Sequence, residues 1–287
     1  MLSLACLLSA QPSAAHTPNR SGLGLQQATD SLRGKSGKLR ARLVGGTRGG
    51  PIRILQELFG DSAVNTPGIY TAHQLAQSSF AFINILPFRA KAKDRVGTYR
   101  LGTWPGERRG AQVPEGFVEV TQLNQDTPVS EHFRLRDFLT HDQHNVWPKY
   151  LVLDDALVDK LELVIQDLAS RGFLVHHVGV LSGFRTPQYN ARGVRRGGGR
   201  ARDSRHQYGD AADVFIDNNR DGRMDDLNGD RRVNERDAKI VLESVDRVER
   251  QHPEFTGGAG VYRATRSHGP FVHVDVRGTR ARWGLAG

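Results

Sequence analysis

The stretch Ser204-Arg-His-Gln-Tyr-Gly-Asp-Ala-Ala-Asp213 decides how the rest of the chain is read. It sets an imidazole, His206, seven residues before a carboxylate, Asp213. Gly209 lies between them, where the backbone can turn. The apolar run Val214-Phe-Ile216 follows, which places Asp213 at or in the start of a buried strand. A second imidazole, His273, arrives in Phe271-Val-His-Val-Asp-Val-Arg-Gly278, which alternates with period two and reads as a strand. Two imidazoles and one carboxylate make a three-ligand zinc site with an open fourth position, the arrangement of a catalytic metal.

The composition narrows the field. A chain of 287 residues has room for two modest domains. Its 38% hydrophobic content and 32 glycines suit a soluble, loop-rich globular protein. The single cysteine, Cys6, lies in an N-terminal apolar segment. Without that segment neither a disulfide nor a cysteine-bound zinc is available, so any zinc must use His with Asp or Glu. The formal charge of +9 favours polyanions such as nucleic acid, anionic lipid or the acidic polymers of a bacterial wall. An arginine-rich genome explains the charge equally well. No nucleic-acid motif accompanies it, so no nucleic-acid partner is expected. Residues 2–10 are apolar and Ser13-Ala-Ala15 resembles a cleavage site. Residues 1–15 therefore read as a signal peptide lacking its basic start, and the protein as extracytoplasmic: periplasmic, secreted or in the cell envelope. No later run is apolar enough to span a membrane.

Residues 16–50 are polar and rich in Arg, Gly, Ser and Gln, which predicts a disordered linker. Residues 51–125 read as a small β-rich module, with strand candidates at 80–86 and 116–121. Tyr99 and Trp104 in it serve either as core or as sugar-stacking surfaces, and core is the commoner use of such residues by about three to one. A second domain spans 129–285. Ser130 is placed as the N-cap of a helix that turns Phe133, Leu135 and Phe138 inward. His141, Asp142 and His144 follow as a hydrated loop. From Asp154, Leu157, Val158, Leu161, Val164, Ile165 and Leu168 form one apolar stripe of a helix ending at Gly172. Residues 173–181 read as a strand whose His176 and His177 face opposite ways and so cannot share a metal. The fold class is α+β.

Upstream of the opening stretch stands Leu181-Ser-Gly-Phe-Arg-Thr-Pro-Gln-Tyr-Asn190. Taken together, Ser182-Gly-Phe-Arg-Thr-Pro-Gln-Tyr-Asn190, then Ser204, His206, Gly209, Ala211 and Asp213, then His273-Val-Asp275 resemble the zinc D-Ala-D-Ala carboxypeptidase and murein-peptidase family. That family has the hedgehog/D,D-peptidase fold. The resemblance implies a zinc peptidase domain with a central antiparallel sheet over 129–285. It implies Zn2+ on His206, Asp213 and His273, and peptidoglycan as the substrate, cut at D,D- or L,D-amide bonds. Arg185 matches the family's substrate-binding arginine and would steady the oxyanion. Many relatives carry Glu or His two or three residues before the last histidine, where this chain has Pro270 and Phe271. His268 and Asp275 are left as candidates for the catalytic acid and base. Because relatives of the fold signal rather than catalyse, a non-catalytic zinc-fold protein that binds the wall or a partner is the alternative.

Between the two metal-bearing strands lies an insertion, 217–237. Asp217, Asn219 and Asp221 hold positions 1, 3 and 5 of a calcium-type loop, with Gly222 at position 6. A second, overlapping register offers Asp226, Asn228, Asp230 and Asp237, with Arg231 where a glycine is usual. Oxygen ligands at alternate positions suit Ca2+, here in a structural role. A calcium-dependent structural or adhesive module is a further reading.

Overall fold

The computed structural model describes residues 41–44, 55–56, 59–73, 79–107, 112–195 and 200–284. The expected signal peptide, and the expected linker apart from 41–44, lie outside them. Within that linker Ala41–Val44 forms a strand, β1, contrary to expectation: Ala-Arg-Leu-Val supplies apolar residues enough to pair, parallel, with β3 (Ser79–Asn84). A short helix, α1 (Asp61–Asn65), precedes β2 (Gly68–His73), which pairs with the other edge of β3.

Three short strands follow: β4 (Leu86–Pro87), β5 (Arg95–Val96) and β6 (Tyr99–Arg100). Next, β7 (Gly116–Val120) pairs with β4 and, across the boundary expected at 125, with β8 (Lys149–Leu151). Tyr99 and Trp104 are each 1% exposed, so both are core residues and neither offers a face for sugar stacking. Trp104 Nε1 donates to Gln207 O at 2.7 Å, tying this part of the molecule to the opening stretch.

Ser130 does not cap a helix. The amides of Val129 and Ser130 both turn back to Phe133 O, and a short 3-10 turn forms only at Leu135–Phe138. Phe133, Leu135 and Phe138 are buried as the apolar pattern requires. The helix α2 runs Asp155–Ser170, with the Asp154 carboxylate accepting from Ala156 N at 2.9 Å and Gly172 in the left-handed region at φ 88°. Its stripe from Leu157 to Leu168 is buried. Lys160 on the same helix is fully buried against Glu249, at 2.7 Å. Removing two charges from water costs several kcal/mol per ion before their attraction is counted. Six buried aliphatic side chains at about 1.5–3 kcal/mol each outweigh that.

The strand expected at 173–181 is confined to β9 (Val178–Ser182). It leads into α3 (Pro187–Arg195), and β10 (Ala211–Ile216) follows. Then come α4 (Glu235–Gln251), β11 (Gly258–Tyr262), β12 (Phe271–Asp275) and β13 (Ala281–Trp283). The sheet order is β13-β11-β12-β10-β9, antiparallel except where β13 runs parallel to β11. The architecture is therefore mixed helix and sheet with antiparallel sheets. Lys160 on α2 also donates to Asp275 O at 2.7 Å, which joins the helix pair to β12.

Candidate metal centre and its cavity

Register assembles the centre. Asp213 on β10 sits directly opposite His273 on β12, and opposite Ser182 on β9. The ladder shifts register between Asp213 and Val214, so the strand is irregular where the carboxylate leaves it. His206 comes from a 3-10 turn, Arg205–Tyr208, that ends at Gly209 with φ 72°. A side chain at Gly209 would be strained at that angle, and its Cβ would stand 2.4 Å from Val152 O. This glycine therefore allows the turn to lie against the segment before α2, where Asp154 N donates to Gly209 O at 2.9 Å.

Three ligand atoms converge. His273 Nδ1 is 2.9 Å from Asp213 Oδ1 and 3.1 Å from His206 Nε2, and His206 Nε2 is 3.3 Å from Asp213 Oδ1. Ligands about 2.0–2.1 Å from a tetrahedral zinc stand about 3.3 Å apart. All three residues are buried, and they form one potential metal-holding group among the described residues. The outer nitrogens assign the tautomers. His206 Nδ1 is 2.7 Å from Gly183 O, and His273 Nε2 is 3.1 Å from Asp275 Oδ2, so each ring donates outward and turns a lone pair inward. Two lone pairs and a carboxylate oxygen facing one point call for a cation. The donor set, one carboxylate and two imidazoles, fits zinc.

The electrostatics agree. Burial pushes the His206 imidazole below its usual pKa and favours the neutral ligand form. Burial opposes charge on Asp213 as well, yet His206 and His273 outweigh it and hold the carboxyl well below its ordinary range. For His273, burial is outweighed by the carboxylates of Asp213 and Asp275, and the pKa rises. This is a place that attracts positive charge.

The other predicted residues fall in different positions. Arg185 is within reach of the centre, but its guanidinium pairs with the outer oxygen of Asp213 and its Nε donates to Ser182 Oγ at 2.7 Å. Asp275 is fully buried behind His273. Its oxygens accept from Gly258 N at 2.7 Å and from the Arg277 side chain, so it holds the ligand ring and does not line the cavity beside the centre. His268 stands in the wall of the cavity, with Nδ1 2.8 Å from Gly269 O and its ring edge-on to Phe271 at 5.0 Å.

That cavity, of about 750 Å³, has the centre in its wall. Sequence reasoning missed several of its residues. Tyr262 stacks on Phe271 at 4.7 Å, and Trp283 lies 5.2 Å from the His273 ring while its Nε1 donates to Tyr262 Oη at 2.9 Å. His141, read as part of a hydrated loop, also lines the cavity. The short alternating segment around Trp283 was the available signal for β13. Nothing in the chain showed that it would run parallel to β11.

In the insertion, side-chain oxygens bind the loop's own amides. Asp217 accepts from Asp221 N at 2.9 Å and Gly222 N at 3.1 Å, and Asn219 Oδ1 accepts from Asp221 N at 3.0 Å. Asp226 accepts from Gly229 N and Arg231 N at 2.8 and 2.7 Å, and Asn228 accepts from Asp230 N at 2.8 Å. Asp230 accepts from Arg232 N at 2.9 Å. Asp237 accepts from Leu227 N and Asn234 N, each at 2.9 Å, and forms a capping box on α4 with Asn234.

Residues 119–228 match a family model described as peptidoglycan L,D-endopeptidase MepK. Among solved structures, the crystal structure of Serratia marcescens L-Ala D-Glu endopeptidase ChiX matches at 22% identity, over 44% of this chain and 82% of that chain, with a TM-score of 0.28. No curated protein matches. The segment matched by the family model holds Ser182, Arg185, His206 and Asp213, while His273 faces Asp213 from beyond it. Over residues 119–228, which carry His206 and Asp213 of this centre, the chain is thus similar to the peptidoglycan L,D-endopeptidase family.

Proposed function

We infer that this protein is a peptidase acting on peptidoglycan peptides, and we propose that it cuts D,D- or L,D-amide bonds at the His206, Asp213 and His273 centre. One observation carries the reading: two imidazole nitrogens and a carboxylate oxygen meet beside a cavity large enough for a peptide. Zinc bound there would supply a Lewis acid and an acidified water.

The chain's own groups divide the remaining work. Gly183 O and Asp275 fix the two ligand rings. Arg185 balances Asp213 and lies beside the place where an oxyanion would develop. His268 has its Nδ1 engaged by Gly269 O, which leaves Nε2 to take and return a proton. We assign it that role in preference to Asp275, whose oxygens are committed to His273, Gly258 and Arg277. The sheet and helix arrangement supports a hedgehog/D,D-peptidase-like fold for 129–285, with 51–125 as a β-rich module packed on it. A peptidoglycan substrate places the protein outside the cytoplasm.

For 217–237 the calcium reading rests on the spacing of its oxygens. It is separable from the zinc reading: a rise in melting temperature on adding calcium, absent in Asp226→Ala, would support it.

The decisive assay incubates purified protein with purified peptidoglycan and measures released peptides. Chelation should stop the release and zinc should restore it. Zinc-loaded protein that releases nothing would instead make this a wall- or partner-binding protein.

A further inference from the structure

The helix α3 gives Tyr189 to the wall of the cavity, and three of that helix's residues hold the chain at 200–201. Asn190 Nδ2 donates to Ala201 O at 2.9 Å. The Arg200 guanidinium lies over the Tyr189 ring, 4.4 Å from its centroid, and Nη1 donates to Tyr189 O at 3.1 Å. One turn further along, Gly193 leaves room for the stem: a Cβ there would stand 2.2 Å from Arg200 Cδ and 2.9 Å from Cζ. A ring, a carbonyl and a missing side chain together lay this arginine along the helix. A guanidinium held in this way loses little rotamer freedom when it meets an anion.

The other arginines of the cavity already have acidic partners. Arg185 pairs with Asp213, Arg205 with Asp210 and Arg277 with Asp275. Arg192 reaches the same Tyr189 ring at 5.4 Å but pairs with Asp142. Among the described residues no ion pair involves Arg200, although it lines the cavity and its charge is felt at Arg185, which touches Asp213. It is a pre-placed cation with no acid of its own, one residue removed from the metal ligands.

We propose that Arg200, seated on Tyr189 and Gly193, recognises a free carboxylate of the bound peptide and makes the enzyme selective for acidic over amidated peptidoglycan peptides. This rests on the proposed function and specifies its substrate class. A carboxylate matches the planar guanidinium in two-point geometry, and an amide offers it one neutral acceptor.

The test uses soluble peptidoglycan stem-peptide fragments in two forms, one with native carboxylates and one with carboxylates converted to carboxamides. Hydrolysis by the zinc-loaded full chain is followed together with calorimetric binding to the zinc-free chain. Wild type should favour the acidic form by about 10-fold or more, chiefly in KM and in Kd. Arg200→Gln should lose that preference at unchanged zinc content and melting temperature. Arg200→Lys should keep part of it. Arg192→Gln removes a charge that reaches the same ring but is paired with Asp142, and should keep all of it. Hydrolysis without preference, or a preference that survives in Arg200→Gln, overturns the inference and leaves the hydrolase reading standing. Binding preference without hydrolysis does the reverse. A chain that neither binds nor cleaves either form ends both.

Discussion

Two regions of this molecule hold residues of metal-ligand type at recognisable spacing, and they are built in opposite ways. At the centre, His206, Asp213 and His273 come from a turn and two strands, and their inward atoms face one another. In the 217–237 insertion the carboxylates come from one continuous loop, and that loop's own amides occupy them. Ligands drawn together by a sheet are held apart from their local backbone and kept for an ion. Ligands that follow one another along a loop can serve first as turn and cap acceptors. Spacing along the chain is thus weak evidence for a cation site, and convergence across the fold is strong evidence.

The largest effect should come from His273→Ala or His206→Ala. Either should abolish peptide release and bound zinc together, measured by peptidoglycan digestion and metal analysis. The loop variant Asp230→Ala should keep both. If a histidine variant retains zinc, the converging group is not the metal site. Next comes Asp275→Asn, which weakens the outward acceptor on His273 without touching the inward atoms. A loss of about 10–100-fold in zinc affinity or activity is expected. Full activity would show that the ring needs no such support.

Gly209→Ala tests whether the turn that delivers His206 depends on a left-handed residue. The conformation alone costs about 1–2 kcal/mol, and the contact with Val152 O adds to it. Thermal denaturation should show a melting temperature lower by several degrees, with residual activity falling in parallel. Asp237→Ala in the insertion should cost about 1 kcal/mol through the lost cap on α4, with hydrolysis intact. The smallest expected change is calcium added to wild type. A shift in melting temperature as large as zinc gives would erase the contrast between the two regions.

Much of the centre was legible in advance because its residues sit in short motifs with strong local constraints. Gly209 turns the chain, Asp213 opens an apolar run, and His273 stands in an alternating strand. The helix α2 was equally readable from its stripe, its start at Asp154 and Gly172. Roles that depend on what faces a residue were not readable. Arg185 and Asp275 are near the centre as expected, yet their partners, Asp213 for one and the far side of His273 for the other, follow from strand register. The walls supplied by Trp283, Tyr262 and Arg200 depend on a parallel edge strand and on a chain segment returning to α3. Tyr99 and Trp104 left core and surface open until packing decided for the core. Ser130 misled because a good capping residue is also a good turn residue.

The ligand pair Asp213 and His273 is 60 residues apart in the chain, so the pocket for the ion exists only once that long loop has closed and β12 has joined β10. Metal arriving from solution therefore meets a site that folding has already completed. Zinc should leave the refolding rate nearly unchanged and slow unfolding instead, so that the loaded protein owes its persistence to a higher barrier against opening.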